Sequence, residues 1–347
     1  VKEMLIIDSD GHVTEPVESF RSRLKEEHRK RPLLAKESWD RSFGGTLGIR
    51  SEDPETQLAG MDAEGIDVQV IYPTALLGIP VVKEAPLAVD LARAYNDWLA
   101  EFCAANPARL KGVAVVALQD VDAAVKEARR AIEDLGHVAI MMPTNVRDRE
   151  IGAREFWPFY EAVEALGAGL GLHGGTNAAE RMHGRFETFI AVHTVAFPFE
   201  CMAALTSLIF AGVPEKFPKL RFAVLESACG WLPFLMDKMD EEFEVRGSRE
   251  APLLKRKPSE YMLSGRFYYS FELEESMVPV VIERVGAEKL LWASDYPHWD
   301  SCWPHTVEAF RKRQDVSEAD RRRIFGENPQ RFYGFEVPRE SSAVRSA

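Results

Sequence analysis

Four places in this chain carry side chains that hold metal ions or move protons. Asp10 and His12 stand two apart in I-I-D-S-D-G-H-V-T-E-P, directly after the apolar run Met4 to Ile7. Residues i and i+2 of a strand project to the same side. If the first strand continues to His12, carboxylate and imidazole point together and can hold one divalent cation. His173 closes G-L-G-L-H, Glu226 closes R-F-A-V-L-E, and Asp295 closes K-L-L-W-A-S-D, with His298 three residues further on. Each is a metal ligand or an acid/base group, and each leaves an apolar strand at its final position.

The elements that must position these groups are read from the alternation of apolar runs with amphipathic stretches. Strands are expected near 4–9, 67–72, 110–118, 137–142, 169–173, 221–226, 266–271 and 289–295. Between them, helices are expected at 54–65, 85–105, 120–135, 152–166, 194–213, 229–245 and 274–285, with two more at 304–313 and 317–326. Near-continuous apolar strands alternating with helices indicate a parallel α/β sheet. Eight such units in one chain of this size predict a single closed (β/α)8 TIM barrel, whose site sits at the C-terminal strand ends. No G-x-G-x-x-G follows any strand, which leaves a dinucleotide fold without support. Residues 17–53 show no periodicity and are expected to form a long lid-like insertion after strand one. The barrel is expected to span 1–338, with 339–347 as a frayed tail.

Bulk composition narrows the class further. The 347 residues are 46% hydrophobic and 28% charged, as in an ordinary globular enzyme. The formal charge of −12, from 43 basic and 55 acidic residues, argues against a nucleic-acid-binding surface. Cys103, Cys201, Cys229 and Cys302 show no C-x-x-C spacing and are expected to be reduced thiols of a cytoplasmic protein. Only four apolar residues separate Val1-Lys2-Glu3 from Asp8, so no secretory leader is expected. No membrane-spanning run is expected either.

The motifs resemble those of the amidohydrolase superfamily, in the branch that contains aminocarboxymuconate-semialdehyde decarboxylase and related metal-dependent hydrolases. The likeness rests on D-S-D-G-H-V-T-E-P, L-H-G-G, F-P-K-L-R-F-A-V-L-E-S-A-C-G-W-L-P, A-S-D-Y-P-H and N-P-Q-R-F-Y-G-F. It spans nearly the whole chain. Carried over by matching motif, it implies that Asp10, His12, His173 and Asp295 are metal ligands. The chain departs from the pattern at strand six, where many members, including the decarboxylases, place a histidine and this sequence has Glu226. A carboxylate there can bind a second cation, hydrogen-bond a metal-bound water or accept its proton.

These departures favour a hydrolase of a small organic acid derivative, cleaving an amide, ester or thioester. A branch of two-iron thioesterases acting on CoA-linked acids is compatible with the same residues. Non-oxidative decarboxylation or hydration on the same site is the alternative, and a barrel without chemistry is a remote one. Asp295 is expected to act as base, assisted by Glu226 or His298, with His193 as a further candidate. Met141-Met142-Pro143 offers no lysine for a carbamylated bridge, and one or two ions per chain remain open. Zinc is the default for Asp/His ligands, with iron or manganese suited to carboxylate-rich sites. Arg50, Asn177 and Trp299 are expected to contact the substrate, and Trp39, Phe43, Trp231 and Trp303 are candidates for an apolar wall. Partners are expected to be a small-molecule substrate and a second copy in a homodimer.

Overall fold

The structure is a computed structural model describing residues 4–31, 51–175 and 184–337. Most of the expected lid (32–50) and the expected frayed tail lie outside the described residues. Eight parallel strands form one sheet: β1 (Ile7–Val13), β2 (Val68–Pro73), β3 (Leu110–Ala114), β4 (Ala139–Pro143), β5 (Gly169–His173), β6 (Arg221–Val224), β7 (Phe267–Ser270) and β8 (Leu290–Leu291). Each pairs with its sequence neighbour, as in the register Ala139↔Gly169 through Pro143↔His173 between β4 and β5. Backbone bonds close the ring from β1 to the segment after β8. The Ser9 N–H donates to the Trp292 carbonyl at 3.1 Å, and the His12 N–H to the Tyr296 carbonyl at 2.7 Å. The architecture is therefore the expected (β/α)8 barrel.

The helices between the strands begin and end on the signals their sequences carry. Asp53 caps α1 (Pro54–Glu64) by accepting the Thr56 N–H at 2.8 Å, and Gly65 ends it in the left-handed region at φ 73°. Asp120 likewise caps α3 (Val121–Glu133), which follows the long α2 (Ala85–Ala104). The helix expected at 152–166 is α4 (Trp157–Leu166), preceded by a 3-10 turn at Arg154–Phe156. The helix expected at 194–213 begins earlier, as α5 (Phe189–Phe210). Then come α6 (Leu232–Glu250) and α7 (Val278–Val285), both starting later than expected because Pro233 and Pro279 occupy first-turn positions. Contrary to the sequence expectation, α5 is long and apolar enough to cross a membrane, at mean hydropathy 1.5 over its best window. Here it packs on the barrel, burying Val192, Ala196, Cys201, Leu205, Leu208 and Ile209.

Inside the barrel, close packing fixes the floor of the site. Tyr72 on β2 is fully buried and reaches across to β5, where a Cβ on Gly171 would lie 2.1 Å from its hydroxyl oxygen. Only glycine at 171 leaves room for that ring. The Tyr72 hydroxyl lies 3.1 Å from that of Tyr333, which donates to the Ser9 carbonyl at 2.6 Å.

Candidate metal centre at the C-terminal end of the barrel

Strand β1 runs further than 4–9, to Val13, and so carries Asp10 and His12 as strand residues on one side. Both are buried. His12 Nε2 lies 3.5 Å from Asp10 Oδ1 and 3.4 Å from Asp295 Oδ1. From β5, His173 brings its Nε2 to 3.6 Å from Asp10 Oδ2 and 2.8 Å from Glu226 Oε2. The other ring nitrogens are occupied: His12 Nδ1 donates to the Pro73 carbonyl at 2.8 Å, and His173 Nδ1 to the Gly174 carbonyl at 2.6 Å. A histidine whose Nδ1–H is held by a carbonyl presents its Nε2 lone pair, the arrangement of a metal-ligating imidazole. Tyr72 stacks beneath His173, with ring centroids 5.7 Å apart.

The strands expected to end at Glu226 and Asp295 stop earlier, at Val224 and Leu291, and both residues reach the cluster from strained backbone beyond them. Glu226 (φ 47°) and Asp295 (φ 53°) are non-glycine residues in the left-handed region. Such conformations concentrate at functional sites because only a fixed surrounding holds them. The Glu226 N–H is anchored by Ser270 Oγ at 2.9 Å. His298 Nδ1 stands 2.7 Å from Asp295 Oδ1, and its ring lies 4.1 Å from that of His12, centroid to centroid.

The charges in this cluster oppose one another. Burial pushes the Asp10 carboxyl up to about 8, helped by the charges of Glu226 and Asp8. Burial likewise holds His12 well below its ordinary value, and raises Asp295 well above the usual carboxylate range together with Glu226, Asp300 and Asp10. For His173, burial works downward, but the negative charges of Asp10 and Glu226 outweigh it and carry the imidazole up to about 9. Protons thus balance the cluster. A divalent cation does the same while favouring every deprotonated form.

Four buried polar atoms decide whether these residues fit such a cation. Asp10 Oδ1, His12 Nε2, His173 Nε2 and Glu226 Oε2 have no hydrogen-bond partner; the 2.8 Å approach of the last two lacks hydrogen-bond alignment. Buried polar atoms are rarely left this way unless an ion or water completes them. Ligand atoms of Asp10, His12, His173 and Glu226 lie within 4.8 Å of one another, as do those of His12, Glu226, Asp295 and His298. Two nitrogens and several carboxylate oxygens converging on one point are the donor set of a zinc-, iron- or manganese-type ion. The residues fit the metal.

Comparison with known proteins places this centre in a family. The sequence pattern of the family described as Amidohydrolase matches residues 7–335. The chain belongs to the amidohydrolase family. Among its members, the chain is 25% identical over 305 residues to the 2-amino-3-carboxymuconate-6-semialdehyde decarboxylase of Dictyostelium discoideum, covering 87% of this chain and 82% of that one. It is 26% identical over 286 residues to the gamma-resorcylate decarboxylase of Polaromonas sp., covering 79% and 85%. In fold it is similar to a crystal structure of dihydroxybenzoic acid decarboxylase from Polaromonas sp. with bound manganese and the inhibitor 2-nitroresorcinol. That likeness has a TM-score of 0.75 at 23% identity, over 96% of this chain and 97% of the other.

In this amidohydrolase, then, Asp10, His12, His173, Glu226, Asp295 and His298 share one cluster. His193 stands outside it, at the start of α5, 3.5 Å from Asp300 and with its ring 5.3 Å from that of Trp299. Arg50 and Asn177, like Trp39 and Phe43, lie outside the described residues. Trp231 turns its indole N–H to the Ser227 carbonyl, and Trp303 packs on Tyr296, so both serve packing. A pocket opens over Asp10, Glu226 and Asp295, lined also by Glu272, Asp300 and Cys302. The cysteines are free, and Cys302 is the thiol beside the site.

Glu15, just beyond β1, accepts the backbone N–H groups of Thr74, Ala75 and Leu76 and so fixes the loop after β2. Thr74 in turn holds His298 Nε2 at 3.0 Å. Sequence reading missed Thr74 and Ser270 because each acts on a residue more than 40 positions away.

Proposed function

We propose that this chain is a metal-dependent, non-oxidative decarboxylase of a small organic acid. The observation that carries the reading is the Asp295–His298 pair, of which Asp295 lines the pocket that opens over the cation site. It supplies a proton carrier where a carboxylate-bearing carbon would sit. The decarboxylases among the relatives support it over the hydrolysis favoured by sequence alone. Glu226 in place of the histidine remains a difference from them.

Asp10, His12, His173 and Asp295 would hold the ion, for which we propose manganese, after the manganese-bearing relative in fold. When bound, a divalent cation supplies a Lewis acid that grips an anionic substrate oxygen and draws charge from the breaking bond. The chain's own residues do the rest. The Pro73 and Gly174 carbonyls hold both imidazoles with Nε2 inward, so the site is formed before substrate arrives. The bond between the carboxylate and its carbon breaks, the electron pair stays on the carbon, and carbon dioxide leaves. The replacing proton comes through the Asp295–His298 pair, with His298 Nδ1 hydrogen-bonded to Asp295 Oδ1 and Thr74 fixing the ring behind it.

A second reading, addition or removal of water, rests on Glu226 alone, whose unpartnered Oε2 is placed to take a proton from water. The experiment that separates them uses manganese-loaded protein with 2,6-dihydroxybenzoate, 5-carboxyvanillate and a set of unsaturated carboxylic acids, esters and thioesters. Carbon dioxide release in deuterated water, with one deuteron at the vacated carbon, is the expected result. Turnover of an ester, thioester or water adduct without carbon dioxide would overturn the decarboxylase assignment.

A further inference from the structure

The seam between β8 and β1 joins the two halves of the candidate centre, and it is not a ladder. Regular pairing of β8 covers only Leu290 and Leu291, both against β7. Across to β1 the backbone donates from Ser9 to Trp292, from Asp295 to Asp10 and from His12 to Tyr296. Positions 9, 10 and 12 thus face 292, 295 and 296, a spacing that no continuous ladder has.

Ser294 lies in that gap. Its N–H meets no strand carbonyl but donates to Asp8 Oδ1 at 2.9 Å, and its hydroxyl donates to Asp8 Oδ2 at 2.5 Å. Gln69 on β2 donates to the same Oδ2 at 2.7 Å, and the Asp10 N–H reaches Oδ1 at 3.3 Å. All four groups donate, so the fully buried Asp8 carboxylate serves only as acceptor. The Ser294 hydroxyl oxygen also accepts the Tyr296 N–H at 3.1 Å. It therefore spans Asp295 on both sides and holds the turn that gives that residue its left-handed backbone.

The other flank of β1 is tied to the same carboxylate. The pairing of β1 with β2 bulges between Asp8 and Gly11, and a Cβ on Gly11 would lie 2.2 Å from Gln69 Nε2. Gln57 donates to the His12 carbonyl at 3.0 Å and is hydrogen-bonded to Gln69. The side chains of Asp8, Gln69 and Gln57 stand in for the strand pairing that the bulge and the seam lack.

We propose that Asp8 is a positioning residue for the metal centre: through Ser294 it fixes Asp295 against His12. The inference rests on the cluster being a divalent-cation site. The spacing of ligands from β1 and β8 is set by this carboxylate clasp, and loosening it lets Asp295 drift while the barrel stays folded.

The test compares wild type, Ser294→Ala and Asp8→Asn, each stripped by chelator and titrated with Mn(II), then loaded with Co(II) for visible spectroscopy well below the melting temperature. Outer-shell partners of metal ligands are worth about 10- to 100-fold in affinity. The expected result is Mn(II) binding weaker by about tenfold or more in folded Ser294→Ala and Asp8→Asn, with a shifted Co(II) ligand-field band. A role in packing alone would leave the Co(II) band where it is in wild type. Unchanged affinity and band in folded Ser294→Ala would overturn the proposal even if Asp8→Asn fails to fold. Loss of folding in Ser294→Ala would also overturn it, by assigning the clasp to the barrel as a whole. Wild type that takes up no Mn(II) would instead refute the cation site itself.

Discussion

His298 Nδ1 lies 2.7 Å from Asp295 Oδ1, while its Nε2 lies 3.0 Å from Thr74 Oγ1. Both ring nitrogens are engaged, so His298 joins the metal ligands only by giving up one of these bonds. It belongs with Asp295 as a proton-handling pair. Asp295→Asn keeps the shape of the side chain and removes the proton carrier. A general acid or base contributes about 10²- to 10⁴-fold, and a fall in kcat of that order is expected. Comparison of kcat with the melting temperature checks it, since the fold should survive.

The metal-free protein should lose stability as pH rises from neutral into the mildly alkaline range. Asp10 titrates near 8 in the folded chain, far above an unfolded carboxylate, so the folded chain holds a proton that the unfolded chain has released. His173 titrates near 9, above its ordinary 6.5, and acts in the same direction. With rising pH, the Asp10 contribution declines from its ordinary 3.8 and is gone by about 8, and that of His173 declines from 6.5 and is gone by about 9. His12, held well below its ordinary value, acts oppositely and only in acid. Melting curves of stripped protein should therefore shift downward from pH 6.5 to 9. Added Mn(II) should raise the melting temperature more at the upper end, where fewer protons compete for the ligands.

Glu226 raises the proton affinity of both Asp10 and Asp295 by its charge. Glu226→Gln removes that charge. If Glu226 is a neighbour of the ion, the pH at which Mn(II) half-saturates the protein should move downward. Equal weakening at every pH would make it a ligand instead. Titrations at a series of pH values separate the two.

Gly171→Ala should loosen the floor beneath the histidines. Its methyl would lie 2.1 Å from the Tyr72 hydroxyl oxygen, in a buried layer that also packs against His173. Overpacking of this kind costs about 1–3 kcal/mol. Chemical denaturation measures that loss directly.

Much of the barrel is legible in the sequence because most of its buried parallel strands are nearly continuous apolar runs. The runs at Val68–Pro73, Ala139–Pro143 and Gly169–His173 announce themselves this way. Asp10 and His12 are legible for a similar reason, since the two-residue period of a strand forces them to one side. Asp8 is not. Its meaning depends on Ser294, 286 residues away, and on Gln69, 61 away, and no local pattern links them. The left-handed backbone of Glu226 and Asp295 is equally hidden, because neither residue is a glycine. The apolar length of α5 is also hidden: His193, Thr194, Glu200, Thr206 and Ser207 interrupt the run without lowering its average far.

The central claim about the molecule is that Asp10, His12, His173 and Asp295 form a cation site. Calorimetric titration of Mn(II) into chelator-stripped protein, beside His12→Ala and His173→Ala, tests that most directly. A tight site in wild type that is lost in both folded variants is the predicted result. Wild type without Mn(II) uptake, or variants that bind as wild type does, would contradict it.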